Sequence, residues 1–499
     1  MYDEFQYLFD VIEKNMDRYV NSTPVITYSR EGKPERFIDS SIKNIKDIFK
    51  EQERDAKGSF TVNVKEFMLL SLVAGENVLL IGDTGNGKTT LAQGVLGSIF
   101  GSGYAFRQID NAMMGPDLLR DINFNTIKSG GTLSDAVVTT SAVNAAAILL
   151  DEINRADPRL LNFLQNFLDK KGRITLEGGK EVVSGVKLDD GSIYHAIIAT
   201  GNVGEEYTGV YAIDKATKSR FGIVLNIDLF RPSYEDGEKM NGNGEYIPKR
   251  VDDESSKSNT KLLLALHQQI KNIKMDDALE YFLAYLTMLN NCYAFPEGDK
   301  GIAKNNNMFN PQETCATCPA ANVFDNVCGN VFAISTRTRE DLVKMTKAFA
   351  ALRMYKDPES EKKATIKDLL LIAPFVLAEK MQINREWKEK RKFGSEYSAV
   401  EQALNLEYDR FLNSWREIKA AQERTQSEDL RLVDLIEVLD KNPAIGTLQQ
   451  IQALYNYLKN TGGKGMKPEL IRGHTESTTE FGPSNTKSSY GTTKKIGVE

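Results

Sequence analysis

The sequence predicts an α/β protein, in which a parallel sheet covered by helices is followed by a mainly helical region. Residues 58–232 alternate strand-like and helical segments, which is the pattern of a parallel sheet with helices on its faces. Within this part, the glycine-rich loop Gly82–Thr89 joins an apolar strand to a helix. From Lys261 onward the apolar residues follow helical spacing.

Length and composition predict a soluble globular chain of about three domains. The chain has 499 residues, of which 41% are hydrophobic and 26% are charged. A net charge of −6 argues against a general affinity for nucleic acid, although a local basic patch remains compatible with it. We expect no signal peptide, because the first residues lack a basic region and an apolar region, and no apolar run approaches membrane-spanning length. The four cysteines predict no disulfide framework, so the expected location is the reducing cytoplasm.

A small α/β module is expected before the core, in residues 1–57. Residues 3–20 place their apolar side chains on one helical face, and residues 24–38 have the composition of a short hairpin. Residues 42–49 have the spacing of a second amphipathic helix. The interpretation that this module packs on the core is favoured over a dedicated role in binding a partner.

Four further segments follow the core. Residues 233–260 are charged and rich in Gly, Ser and Asn, which predicts a linker or a loop. A helical domain is expected at 261–383, with a cysteine-containing insertion at 292–330, and a helical extension at 384–460. Residues 461–499 are rich in Gly, Ser, Thr and Lys, which predicts a mostly disordered tail.

The loop after the first core strand has the pattern G-x-x-x-x-G-K-[ST], between an apolar strand and a helix. Its glycines let backbone N–H groups turn toward phosphate oxygens, and the helix N-terminus adds its positive dipole end. The pattern therefore predicts a site for a nucleoside triphosphate. The residues expected to form it are Gly82, Asp83, Thr84, Gly85, Asn86, Gly87, Lys88, Thr89 and Thr90.

Two carboxylates end a second buried strand, Ile148–Leu150, at Asp151 and Glu152. In phosphate-loop ATPases an aspartate at this place holds Mg²⁺ together with the loop hydroxyl, here that of Thr89, and the next glutamate polarises the attacking water. Asp151 is therefore a predicted Mg²⁺ ligand, and Glu152 is the predicted catalytic base.

The segments Ile148–Pro158 and Ala199–Phe221 resemble the corresponding motifs of the MoxR-like AAA+ ATPases. The element Thr208–Tyr211 is most similar to the CobS branch, the ATPase subunit of cobalt chelatase. The resemblance covers roughly residues 60–232 well and the helical region loosely. It implies an AAA+ core with an α-helical lid domain.

The resemblance also implies roles for three residues beyond the two nucleotide motifs. Asn202 takes the position of the sensor-1 residue that places the lytic water, and Arg220 takes that of the arginine finger. The family usually has Asp-Arg-Phe at the finger, whereas this chain has Ser219 before the arginine. Arg337 takes the position of the sensor-2 arginine of the lid, with Arg339 as an alternative.

By the same resemblance, ATP is held between the core and the lid of one subunit, and Arg220 of the next subunit reaches in. This implies a homo-oligomeric ring of about six subunits that remodels or loads a protein client, with a von Willebrand-type metal-binding protein as a candidate partner. The insertion at 115–140 and the hairpin at 173–183 would face the pore. Arg155 is expected near the subunit interface, and a local ion pair is an equal alternative.

All four cysteines lie between the first lid helix and Arg337. Cys315 and Cys318 have the C-x₂-C spacing of a tetrahedral Zn²⁺ site, which Cys292 and Cys328 could complete. Buried free thiols are an equal alternative, because free cysteines are often buried as small apolar residues. A redox pair is the third possibility.

Two other classes of function are also compatible with the sequence. A nucleic-acid motor on the same core would need a basic pore, for which Lys128, Lys180 and Lys187 are candidates. A ring with little turnover is the non-enzymatic alternative, and Glu152 argues against it. The three histidines, His195, His267 and His474, are far apart in sequence, and no metallohydrolase or Ser-His-Asp site is predicted.

Overall fold

In the computed structural model of the protein, the described residues are 2–16, 23–30, 35–36, 58–122, 124–130, 132, 137–169, 173–175, 181–202, 211, 213–232, 236, 250–288, 334–380, 389 and 391–427. The chain divides into two compact units. The first comprises Met1–Ala316 and Ala321–Tyr408, and the second comprises Thr317–Ala320 and Asp409–Glu499. The four cysteines, the predicted helix at 42–49, Lys180, His474 and the tail lie outside the described residues.

The strands are, in chain order, β1 (Pro24–Ser29), β2 (Glu35–Arg36), β3 (Ser59–Asn63), β4 (Val78–Gly82), β5 (Ala105–Gln108), β6 (Arg120–Ile122), β7 (Val137–Thr139), β8 (Ala147–Asp151), β9 (Arg173–Thr175), β10 (Glu181–Val183), β11 (Val186–Lys187), β12 (Ile193–Tyr194), β13 (Ala196–Asn202) and β14 (Ile223–Asn226). The helices are α1 (Tyr2–Asn15), α2 (Val64–Ala74), α3 (Lys88–Phe100), α4 (Gly115–Leu119), α5 (Phe124–Lys128), α6 (Ser141–Asn144), α7 (Pro158–Leu168), α8 (Lys215–Lys218), α9 (Asp253–Lys271), α10 (Asp277–Met288), α11 (Thr336–Lys356), α12 (Ile366–Leu377) and α13 (Glu396–Ser427).

The core of the first unit is a five-stranded sheet in the order β14-β4-β13-β8-β5, and every pairing in it is parallel. All five residues of β4 and all five of β8 are buried. Strands that are covered on both faces are typically continuous apolar runs, because neither face meets water. The parallel sheet with flanking helices that the sequence predicts is therefore confirmed.

The helix that precedes the phosphate-binding strand has a signal at each end. Asn63 and Glu66 form a capping box at the start of α2, since each side chain accepts a hydrogen bond from the other residue's backbone N–H. Gly75 ends the helix with φ +69°, a conformation that favours glycine. These two caps set the point at which the chain turns into β4.

The N-terminal segment contributes a helix and a small antiparallel sheet. As predicted, residues 24–36 form a hairpin of β1 and β2, and β3 pairs with the other side of β1. The sheet packs on α11, where the rings of Tyr28 and Phe60 both contact Phe349. Arg30 donates through Nε to Asp357 Oδ2 at 2.8 Å, which ties the same sheet to the end of α11.

The two segments that resemble pore-facing elements contain short strands. Between β5 and β8 the chain forms α4, α5 and α6, and β6 pairs antiparallel with β7. The hairpin expected at 173–183 is present as β9 and β10, which pair from Arg173 with Val183 to Thr175 with Glu181. The residues at its tip, 176–180, lie outside the described residues.

The predicted linker at 233–260 is wrong at its carboxyl end, because α9 already begins at Asp253. Asp252 caps this helix by accepting the backbone N–H of Ser255 at 2.8 Å. The acidic run that suggested a solvated loop is favourable here, since negative side chains stabilise a helix N-terminus. Asn259 is buried and donates to Ser98 O at 3.0 Å, so this first half of α9 packs on α3.

Helices α11 and α12 form the centre of the helical region. Arg353 of α11 and Asp368 of α12 are almost fully buried and form a bidentate ion pair, with distances of 2.7 Å and 2.9 Å. Arg353 also donates to the carbonyl oxygens of Glu361 and Lys363 in the connection between the helices. These contacts fix the turn from α11 into α12. None of the described helices is long and apolar enough to cross a bilayer.

Candidate functional site: a phosphate loop and its acidic neighbours

The glycine-rich loop lies at the carboxyl edge of the central sheet, between β4 and α3. Gly82, Gly85 and Gly87 have φ values of +144°, +87° and +74°, which side chains rarely adopt. Lys88 Nζ folds back over the loop and donates to the carbonyl oxygens of Gly82 at 2.8 Å and Asp83 at 2.6 Å. The loop therefore has the strand, turn and helix N-terminus of a phosphate-binding site.

Asp151, at the end of β8, is the centre of a buried polar cluster beside the loop. Its Oδ1 accepts the Thr89 hydroxyl at 2.7 Å and the Thr200 hydroxyl at 2.6 Å. The Thr200 hydroxyl also accepts the backbone N–H of Glu152 at 2.9 Å. The structure thus brings together the loop hydroxyl and the aspartate that the sequence predicts as Mg²⁺ ligands.

Glu152 follows Asp151 in a left-handed conformation with φ +58°, which is rare for a residue other than glycine and is often found at functional sites. Its carboxylate is only partly exposed and is paired with Arg155, at 3.0 Å between Arg155 Nε and Glu152 Oε2. Gln108, at the end of the neighbouring strand β5, donates to the same oxygen at 3.5 Å. The local ion pair that was the alternative interpretation of Arg155 is therefore present, and the expected position at a subunit interface stays a prediction.

Asn202 lies at the end of β13, directly opposite Gly82 of β4 in the parallel register. Its backbone is held by Asn154, whose amide nitrogen donates to Asn202 O at 3.0 Å. The carboxyl ends of β4, β8 and β13 therefore place the loop, Asp151 and Asn202 side by side, because parallel strands end at the same edge of a sheet.

Asp228 is part of this site and was not predicted from the sequence. It lies in a short turn after β14, and its two carboxylate oxygens each accept the backbone N–H of Asp83 at 3.0 Å. The Asn86 side chain donates to the same carboxylate. A Cβ on Gly82 would lie 2.8 Å from Asp228 Oδ1, so only glycine fits there. A polar residue just after a core strand is the signal that could have identified it.

The electrostatics of Lys88 reflect this arrangement. Burial lowers the pKa of Lys88, and Asp228 is the first of four carboxylates that oppose the shift. The other three are Asp83, Asp151 and Glu152. The loop lysine is thus a buried cation among acidic groups, and a bound triphosphate would supply negative charge at the same place.

Arg220 and Arg337 lie at the opposite, amino edge of the sheet. Asn77, just before β4, donates through its side chain to the carbonyl oxygens of Leu168 at 2.9 Å and Arg220 at 3.3 Å. Arg337 donates to Asp169, the residue after α7, at 3.0 Å. The five residues of β4 separate this edge from the phosphate loop by about 16 Å.

Arg337, the predicted sensor-2 arginine, lies in the first turn of α11. Its neighbours there are Asp169 and Arg220. Burial and the guanidinium of Arg337 lower the pKa of Arg220, and Arg220 Nε has no hydrogen-bond partner within the described part of the chain. The two cations therefore form one group, distant from their own loop.

The two described histidines are structural. His195 contacts Ser184 through Nε2 at 3.0 Å, and His267 contacts Val73 O through Nδ1 at 2.9 Å. Burial lowers the pKa of each to about 4, so both are neutral at pH 7. Within the described ranges, no group of three or more His, Cys, Asp or Glu could hold a metal ion. The cysteines lie outside those ranges, so the Zn²⁺ site stays a prediction.

The geometry of the loop and its acidic neighbours agrees with a comparison of the sequence with protein families. Residues 77–221 match the model of the AAA domain of the dynein-related subfamily. This region is therefore similar to AAA domains. The match begins at the residue before β4 and ends just after Arg220, so it contains both edges of the sheet described above.

The similar proteins differ in how much of the chain they cover. Protein YojN of Bacillus subtilis (strain 168), described as uncharacterised, is 31% identical over 163 residues, which are 31% of this chain and 49% of YojN. The chain thus spans about half the length of this curated relative. A crystal structure described as that of a candidate ATPase from Cytophaga hutchinsonii has a TM-score of 0.49 and 15% identity, over 81% of this chain and 96% of that one. The crystal structure of a full-length MCM homolog from Methanopyrus kandleri has a TM-score of 0.35 and 13% identity, over 64% of this chain and 55% of that one.

AAA domains in general use a nucleotide and Mg²⁺, and the donor atoms of the matched region fit both. Thr89 and Asp151 present a hydroxyl and a carboxylate oxygen 2.7 Å apart, and Mg²⁺ prefers hard oxygen ligands of this kind. The loop N–H groups and Lys88 can accommodate the phosphates. The predicted cofactors ATP and Mg²⁺ are therefore supported in general form.

Proposed function

We propose that this protein is a Mg²⁺-dependent ATPase that works as a ring-forming motor on a protein client. The observation that supports hydrolysis, rather than binding alone, is the position of Glu152. It directly follows Asp151, which contacts the loop hydroxyl, and it lies in a left-handed turn at the rim of the site. A carboxylate beside the phosphate loop can orient and polarise a water molecule for in-line attack.

Each residue of the site has a defined part in this proposal. The N–H groups of the loop and Lys88 bind the β- and γ-phosphates, and Thr89 and Asp151 hold Mg²⁺, which neutralises charge on the phosphate oxygens. Glu152 orients the attacking water, and Asn202 lies at the neighbouring strand end, where its amide can help to place that water. Arg155 and Gln108 restrain the Glu152 carboxylate in the resting form.

The arginines at the amino edge of the sheet support assembly. Arg220 and Arg337 carry like charges close together at the amino edge of the sheet, whereas their own phosphate loop lies at the other end of β4, a strand about 16 Å long. A pair of guanidinium groups attracts a polyphosphate anion. We propose that both reach the nucleotide of the next subunit, and this repeated heterologous contact closes a ring of about six copies.

The output that the family resemblance favours is mechanical work on a protein, as in MoxR-like and CobS-like ATPases. The client would be remodelled or loaded, and a von Willebrand-type metal-binding protein is the candidate partner. The chain's net charge of −6 makes a nucleic-acid track the less favoured alternative. DNA or RNA that raised ATP turnover, with an effect that falls with salt, would support that alternative instead.

The direct test compares the full chain with its Glu152→Gln variant. We expect the parent protein to hydrolyse MgATP, and the variant to bind MgATP with similar affinity while its turnover falls by about 100-fold or more. Asp157→Asn is a matched control, because Asp157 is paired with the exposed Arg159 and is not part of the site. Turnover at the parent rate in Glu152→Gln would exclude Glu152 as the base. The same variant, loaded with ATP, is the reagent with which to capture the client.

A further inference from the structure

The carboxylate of Asp228 connects the phosphate loop to a distant helix, and no motif of the sequence assigns it a role. It holds the loop on both sides of its tip, since it accepts the backbone N–H of Asp83 and the side-chain amide of Asn86. The loop residues Thr84 and Gly85 lie between these two contacts. Asp228 therefore contacts the loop from outside on both sides of Thr84 and Gly85.

Asp228 is itself positioned by the end of strand β14. Its backbone N–H donates to the Asn226 side chain at 3.0 Å, which caps the short turn Ile227–Leu229. The turn and the strand end thus move together. Since β14 is an edge strand of the sheet, the outer backbone groups of Val224 and Asn226 need partners from elsewhere.

Tyr397, in the first turn of α13, supplies both of those partners. Its hydroxyl donates to Val224 O at 2.7 Å and accepts the backbone N–H of Asn226 at 3.0 Å. The side chain is 1% exposed and packs against the rings of Phe230 and Phe375. The beginning of α13 is thereby fastened to the strand that carries Asp228.

We infer that Asp228 is a positioning residue for the phosphate loop. Through Asn226 and Tyr397, it couples nucleotide binding at the loop to the attachment of helix α13 to β14. The inference rests on the proposed nucleotide site. When phosphates order the loop, Asp228 and its turn become fixed, and the hydroxyl of Tyr397 keeps both of its hydrogen bonds to β14. When the loop is empty, this end of β14 and the start of α13 loosen together.

The coupling has a measurable consequence, because linkage between two sites is reciprocal. If MgATP stabilises the attachment of α13, then loss of that attachment weakens MgATP binding by up to the same factor. If Asp228 only supported the loop, its substitution would change the affinity for MgATP, but MgATP binding would have no effect on helix α13. Amide exchange at the start of α13 therefore separates the two roles.

The experiment uses the full chain with Glu152→Gln, in which bound MgATP persists. Amide exchange is followed by mass spectrometry in peptides covering residues 396–404, with and without MgATP. We expect MgATP to slow exchange there by about threefold or more, a change that the method resolves readily. Adding Tyr397→Phe, which keeps the ring and removes the hydroxyl, should abolish this response.

Asp228→Asn provides the second, independent variant. It is close in shape but has one acceptor oxygen instead of two, and its NH₂ group is a donor that faces other donors. We expect the response of α13 to disappear and the dissociation constant for MgATP to rise about tenfold, the factor for one hydrogen bond to a charged group. A thermal melt of each variant verifies that it is folded.

Tyr194→Phe is the matched control. Tyr194 is also fully buried, but its hydroxyl donates to Leu72 O of α2 at 2.7 Å and its ring packs against His267 of α9. This variant should keep the response of α13. Two results would overturn the inference: equal exchange in the parent with and without bound MgATP, or a full response in folded Tyr397→Phe or Asp228→Asn. A parent chain that does not bind MgATP at all would instead refute the proposed function.

Discussion

Arg337 donates a hydrogen bond of 3.0 Å to Asp169, although 167 residues separate them in the chain. The contact holds the start of α11 at the amino edge of the central sheet, beside Arg220. Both arginines therefore lie at the edge opposite the phosphate loop. In a ring of identical chains, this edge is the one that can be presented to the loop of the next copy.

We predict that Arg220→Ala and Arg337→Ala each lose most ATP turnover while binding MgATP as the parent does. The reason is that both guanidinium groups lie at the sheet edge opposite their own phosphate loop, where each would stabilise charge on the phosphates of a neighbour. Mixing either variant with Lys88→Ala protein should restore part of the turnover, because mixed rings contain complete sites between unlike chains. Steady-state hydrolysis at several mixing ratios measures this.

Arg339→Ala is the control for the arginine experiment, since Arg339 is the alternative that the motif leaves open. It should keep turnover within about twofold, because Arg337 is the arginine whose charge acts on Arg220. Mixed samples that stay as inactive as their components would argue against action between subunits. Loss of turnover in Arg339→Ala, with Arg337→Ala unaffected, would exchange the two assignments.

Arg155→Ala should raise the basal turnover of MgATP. Arg155 pairs with the Glu152 carboxylate at 3.0 Å, and a partly exposed ion pair of this kind is worth about 0.2–1 kcal/mol. Releasing the carboxylate should therefore speed hydrolysis by up to about fivefold. Arg159→Ala, which removes an exposed pair with Asp157, should leave the rate unchanged. A fall in rate for Arg155→Ala would instead place Arg155 in the catalytic machinery.

The stability of the fold should decrease below neutral pH. Burial lowers the pKa of His267 to about 4, whereas the ordinary value is about 6.5. Between these values the unfolded chain binds a proton that the folded chain does not, so stability falls as the pH falls through this window. At pH 5 the loss for this residue is about 2 kcal/mol. Denaturant unfolding of His267→Gln should show a shallower pH dependence between pH 7 and 5, and equal slopes for the two proteins would contradict the prediction.

Removing Arg353 should destabilise the helical region strongly. Its partner Asp368 is fully buried, so Arg353→Met leaves a carboxylate without its cation and should cost about 3–5 kcal/mol. The double variant Arg353→Met with Asp368→Asn should recover part of the loss, because the buried charge is then removed. Thermal or denaturant unfolding measures both. A loss below about 1 kcal/mol in the single variant would show that the pair is solvated.

The phosphate loop, Asp151 and Glu152 could be predicted because their chemistry depends on local order along the chain. A strand followed by Gly82–Thr89 and a helix forms a phosphate site wherever it occurs, and Thr89 meets Asp151 because parallel strands end at one edge. The start of α9 at Asp253 could not be read from composition, since an acidic run is typical both of a loop and of a helix N-terminus.

The sequence by itself determined which side chains are available for nucleotide chemistry and the order in which they follow the core strands. Tertiary structure decided which of them share a site. Asp228 contacts the phosphate loop because β14 lies next to β4. Arg337 lies away from the loop because the start of α11 contacts Asp169 at the other edge of the sheet. These contacts join residues 145 and 168 positions apart, and such separations are set by the packing of the sheet and helices. Local patterns carry no information about that packing.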